Sequence, residues 1–164
     1  MGIRLHLLFS FFLVAGTIQS QKSFRDVSSH QQAGLILDME EVFAAEEEQA
    51  LSKSLEEFEQ QTKSKLFIIS VGDMEDFSDF DQYALHLLDQ YDFQKKVNHN
   101  GLAIVFSGGL RKIHLNTELE RRKIVEDSVY ERVVRELLIP SFKEGEYDQG
   151  IEKIISELLR VYNR

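Results

Sequence analysis

With 164 residues, 43% hydrophobic side chains and 12 phenylalanines, the chain has the length and apolar content for one packed domain rather than two. A net charge of -9 excludes a nucleic-acid binder, because phosphate contacts need clustered Lys and Arg, and it disfavours docking on anionic lipid. The lack of cysteine removes disulfides, thiolate metal sites and a thiol nucleophile together.

Residues 1–20 read as a secretory signal. Arg4 supplies the positive start, Leu5 to Ile18 the apolar segment, and Ser20 a cleavage position. The alternative is a retained single-pass anchor, for which the apolar stretch falls short of the ~20 residues a span needs. The expectation is therefore a secreted or periplasmic cell-envelope protein, with no membrane insertion after cleavage. Residues 21–34 lack periodicity and read as a flexible lead, leaving 35–164 as the domain.

Leu35-Ile36-Leu37 is the first strand and delivers Asp38 to its end. Glu40 to Phe43 connects into a helix from Ala45 to Thr62, whose buried stripe is Leu51, Leu55 and Phe58. Glu46, Glu47 and Glu48 fill its first turn, where exposed N–H groups favour anions. Leu66 to Val71 is the second strand. Ser78 is the expected N-cap of a second helix, which Phe80, Tyr83, Ala84, Leu87, Leu88 and Tyr91 mark at three-four spacing.

The stretch from Asn98 to Glu120 is the centre of the chain. Leu102 to Phe106 is an apolar run short enough for a strand covered on both faces. Ser107-Gly108-Gly109 supplies residues that tolerate positive φ for a hairpin turn. The returning strand then leaves Asn98, Asn100, Glu118 and Glu120 near one rim, the candidate site. Further on, Asp127 or Ser128 caps a third helix that Pro140 stops or kinks. Ser141 to Glu146 reads as a loop, and Tyr147 to Tyr162 as a fourth helix. The order β, α, β, α, β, β, α, α indicates an α/β fold, a three-layer α/β/α sandwich around a mixed four-stranded sheet.

Catalytic signatures are absent from the sequence. It holds no H-E-x-x-H, no phosphate-binding G-x-x-x-x-G-K-[ST] and no G-x-S-x-G elbow. His86 reads as a helix-surface side chain, His114 as pointing to the opposite sheet face, and His99 as the histidine in the candidate loop. Asp73, Asp76, Asp79 and Asp81 straddle a helix start and read as a solvated cap. Arg111, Lys112, Arg121, Arg122 and Lys123 form the densest basic cluster; they either compensate neighbouring glutamates or dock an acidic partner.

Several positions together carry a resemblance. They are Asp38 after the first strand, Asn100-Gly101 opening the third, Leu119-Glu120 after the fourth and Asp127 starting helix three. The most specific is the run Ile139-Pro140-x-Phe142-x-x-Gly145-x-Tyr147-x-x-Gly150. The chain resembles, over about Leu35 to Tyr162, the TPM domain family of thylakoid-lumen repair factors, nematode receptor modulators and bacterial envelope proteins. The resemblance implies an α/β/α sandwich that in several members binds calcium or another divalent cation through strand-end carboxylates. Some members are described as acid phosphatases. Carried over by position, the metal ligands would be Asp38, Asn100, Glu120 and Asp127, within the six or more oxygens a hard cation takes. Two departures imply a degenerate site. His99 stands where the family has an Asp, and Asn116-Thr117-Glu118-Leu119-Glu120 lacks the family's glycines. The expected function is a non-catalytic exported accessory protein with a protein partner in the envelope, a monomer. The alternative is a metal-dependent acid phosphatase.

Overall fold

A computed structural model describes residues 35–97, 100–119 and 127–163. The signal expected over 1–20, the lead over 21–34, His99 and Glu120 lie outside the described residues, as do Arg121, Arg122 and Lys123.

The strands β1 (Ile36–Asp38), β2 (Lys65–Ser70), β3 (Asn100–Ser107) and β4 (Lys112–Leu119) form one sheet in the order β1-β2-β3-β4. The first three are parallel and the last pair antiparallel. Connection length explains the difference. Parallel neighbours need a crossover, provided by α1 (Ala45–Thr62) and then by α2 (Phe80–Gln90) with α3 (Phe93–Val97). Only the turn Gly108–Arg111 joins β3 to β4.

Strand alternation sorts the apolar residues into two layers. Leu66, Ile68, Leu102, Ile104 and Phe106 join the core beneath α1 and α6 (Tyr147–Tyr162). Ile69, Val71, Ala103 and Val105 are buried on the other face, the side of Tyr83, Ala84, Leu87 and Phe93. Leu51, Leu55 and Phe58 of α1 are exposed by 1% or less, so each contributes about 1.5–3 kcal/mol of burial. The mixed four-stranded sandwich is as expected, and α1 and α6 keep their expected bounds.

Three local expectations need correction. Asp79, not Ser78, caps α2, its side chain accepting the Gln82 N–H at 2.9 Å. Pro140 does not stop the helix. Between α4 (Asp127–Val133) and α5 (Ile139–Lys143), Val134–Leu138 widens into a π-helical turn whose Ile139 N–H donates to the Val134 carbonyl. That shift in register lets the chain stay helical past a residue without an N–H. Ser141–Lys143 is consequently helix rather than loop, closed by Gly145 at φ +80° and by the Glu146 N–H on the Ser141 carbonyl at 2.9 Å.

Candidate functional site at the carboxyl edge of the parallel strands

Asp38, Ser70 and Ser107 each terminate an apolar strand, and the three strands run the same way. One edge of the sheet therefore collects them, the edge where open α/β sheets place their ligands. Ser70 Oγ donates to Asp38 Oδ1 and accepts the Glu40 N–H at 3.0 Å, while Asp38 Oδ2 accepts the Phe43 N–H at 2.9 Å. The Glu40 carboxylate crosses to the hairpin turn. Its Oε2 accepts the Gly108 N–H at 2.8 Å, and its Oε1 accepts the Gly109 N–H at 3.1 Å and the Ser107 hydroxyl at 3.2 Å. Successive N–H groups converging on a carboxylate make a charge-assisted nest. Asp38 and Glu40 thus fasten the β1–α1 connection to β2 and to the β3–β4 turn.

Of the two turn glycines, Gly108 serves close approach rather than positive φ. Neither is left-handed; Arg111 is, at φ +55°. A Cβ on Gly108 would stand 2.3 Å from the Tyr147 hydroxyl oxygen, so only glycine fits beneath that ring. Tyr147 in turn stacks on Phe106 at 5.5 Å, and Phe142 packs against both rings at 4.7 and 4.9 Å. Gly150 lets α6 approach, since a Cβ there would lie 3.1 Å from Phe142 and Ser141. The Pro140–Gly150 run is therefore a packing unit beneath the hairpin turn.

Above those rings opens a cavity of about 820 Å³ between the β3–β4 turn and the α5–α6 connection. Ile113, Val134, Ile139 and Phe142 supply apolar lining, and Tyr147 reaches it with its ring. Arg111, Lys112 and Lys143 line it as cations against one acid, Glu144. In a chain of net charge -9, this is a local reversal of sign.

Of the four expected metal ligands, Asp38 and Asn100 lie at opposite ends of the parallel strands. Asp38 pairs with Ser70, and Ser70 with Phe106, at the carboxyl edge. Asn100 opens β3 opposite Leu119, six residues away along the strand, about 20 Å at roughly 3.3 Å per residue. The parallel course of β1 and β3 forces this: one strand's end and the other's start face opposite ways. Asn100 is also committed, its Nδ2 donating to the Lys63 carbonyl at 2.6 Å and its Oδ1 accepting from Ser64 Oγ at 3.1 Å. Glu120 lies outside the described residues, and Asp127 is placed only as the first residue of α4. Among the described residues no three His, Cys, Asp or Glu side chains converge as a metal site. A cation held jointly by Asp38 and Asn100 does not fit this fold.

The remaining expectations divide. His86 is exposed on α2, and His114 does face the other side of the sheet, its Nδ1 2.8 Å from Asp81 Oδ1. Asp73 accepts the Glu75 N–H and Asp79 caps α2, as loop and cap residues do. Glu40, Ser70, Ser107 and Tyr147 were not anticipated as parts of the site. The signal for three of the edge residues was present: Ile36-Leu37-Asp38, Ile68-Ile69-Ser70 and Val105-Phe106-Ser107 each end an apolar run in a polar residue.

A mixed sheet of this order, layered by helices and ending in a hairpin, defines the α/β/α sandwich class. The TPM domain profile matches residues 36–161, and the chain belongs to the TPM domain family. Among solved structures it is similar to the N-terminal domain of a protein from P. gingivalis, at 18% identity and TM-score 0.68, covering 84% of this chain and 88% of that one. It is also similar to the BA42 protein of the psychrophilic bacterium Bizionia argentinensis, at 20% identity and TM-score 0.63, covering 75% and 83%. The N-terminal domain of a Corynebacterium glutamicum protein shares the fold at 7% identity and TM-score 0.60, covering 79% of each chain. At such identities the likeness is one of fold. No curated protein matches the chain.

Proposed function

We propose that this TPM domain is a non-catalytic accessory module of the secreted or periplasmic space, a monomer that works by contact with a protein partner. The observation that supports this is how the edge carboxylates are used. Asp38 and Glu40 spend their oxygens on N–H and hydroxyl donors of the chain itself. The cavity is lined instead by three cations against one acid, Glu144, and by aliphatic and aromatic side chains. Such a surface recognises a partner's charge and shape; it holds no poised acid–base pair. Calcium has no place in this reading through Asp38 and Asn100 together.

The rival reading, a metal-dependent acid phosphatase, draws on the same cations, which suit a phosphate ester. It requires carboxylates to hold an ion that activates water, and Asp38 would have to do so with oxygens that already accept from Ser70 and Phe43. An assay with p-nitrophenyl phosphate, with calcium or magnesium and with chelator, separates the two. The accessory reading expects no turnover above buffer. Turnover abolished by chelator and by Asp38→Ala, in a variant that stays folded, would establish the rival.

A further inference from the structure

We propose that the cavity between the β3–β4 turn and the α5–α6 connection receives the free carboxyl terminus of a partner polypeptide whose last side chain is apolar or aromatic. The inference rests on the contact reading above and names the chemistry of that contact. Its volume, about 820 Å³, lies within the roughly 300–1,000 Å³ of small-ligand pockets, room for a chain end rather than a helix or strand. Its walls offer an apolar side chain Ile113, Val134, Ile139 and the Phe142 ring.

Charge selects the other half of the ligand. Arg111, Lys112 and Lys143 make no ion pair among the described residues. Glu144 opposes them, leaving a modest positive excess that suits one carboxylate better than a polyanion. The Gly108, Gly109 and Leu110 N–H groups cannot meet that carboxylate, because Glu40 and the Ser107 hydroxyl already occupy them. The side-chain cations must do so, and a guanidinium offers the bidentate fork that matches a carboxylate.

Arg111 sits at φ +55°, so a glycine there removes the guanidinium while suiting the left-handed backbone.

The test uses the full chain and a fluorescein-labelled pentapeptide ending in phenylalanine with a free carboxyl group, followed by anisotropy. Saturable binding is expected, weakened at least tenfold by amidating the peptide terminus. Arg111→Gly should weaken it at least tenfold while the thermal midpoint holds or rises, since glycine relieves the left-handed position. Lys143→Met, at an exposed site, should weaken it severalfold. Absence of saturation up to about 1 mM, equal binding of the amidated peptide, or undiminished binding by folded Arg111→Gly would overturn the proposal. Competition by 3-phenylpropionate at concentrations as low as unlabelled peptide would also overturn it, assigning the cavity to small carboxylates. Failure here with the phosphate-ester assay silent removes this ligand alone, whereas turnover in that assay removes the accessory reading.

Discussion

Glu40 and Gly108 are 68 residues apart in the chain, yet Glu40 Oε2 accepts the Gly108 N–H at 2.8 Å. This bond and its neighbour at Gly109 tie the segment after β1 to the turn after β3, across the end of β2. Neither segment has a strand partner there, so the carboxylate supplies the order that the ladder does not.

Replacing Glu40 should therefore loosen the carboxyl edge. Glu40→Ala leaves two backbone N–H groups and the Ser107 hydroxyl without their acceptor. Because the site is only part-buried, water replaces some of what is lost, and a cost of about 1–2 kcal/mol is expected. Glu40→Gln keeps one acceptor oxygen and should cost less. Urea unfolding of both variants measures the difference, and faster amide exchange should appear first at Gly108 and Gly109.

Gly108→Ala should destabilise through a named collision. The added Cβ meets the Tyr147 hydroxyl oxygen at 2.3 Å and its Cζ at 3.0 Å, an overpacking that costs about 1–3 kcal/mol. Tyr147→Phe removes the nearer atom. In a double-mutant cycle the alanine should cost less in the phenylalanine background, a coupling that independent sites do not show.

Acid should weaken the link between α4 and α6. Glu157 on α6 accepts from Arg132 of α4 at 2.6 Å and from Arg160 Nε and Nη2 at 2.7 and 2.6 Å. These hydrogen bonds, that from Arg160 first and that from Arg132 next, pull its carboxyl down to about 2 from an ordinary 4.5. A depressed carboxyl pKa stabilises the fold above the unfolded value, and that stabilisation is lost as pH falls through the folded one. Wild type should accordingly exceed Glu157→Gln in thermal midpoint at neutral pH. The gap should close between pH 4.5 and about 2. A gap that persists unchanged across that window would remove the ion pairs as its cause.

Local pattern made much of the fold legible. The three-four spacing of Leu51, Leu55 and Phe58 gives α1, and that of Ile151, Ile154, Ile155 and Leu158 gives α6, because each stripe lies on the core. Tertiary context decided the rest. Gly108 and Gly109 satisfy any rule for a flexible turn, but Tyr147, remote in sequence, is what requires position 108 to be small. Pro140 reads as a helix stop or kink until the wide turn at Val134–Leu138 supplies another hydrogen-bond register. Strand direction separates two members of the expected metal set. Asp38 ends its strand and Asn100 begins one; two parallel crossovers already imply opposite edges, a deduction that residue types alone do not contain.

Asp38 and Asn100 lie at opposite ends of the parallel strands, so no single ion is held by both. Backbone amide spectra recorded during a calcium titration test it directly. Asp38 with its partners Phe43 and Ser70, and Asn100 with its partner Ser64, should never shift together along one saturation curve. A single saturable curve shared by both groups, lost in Asp38→Ala and in Asn100→Ala alike, would contradict the account.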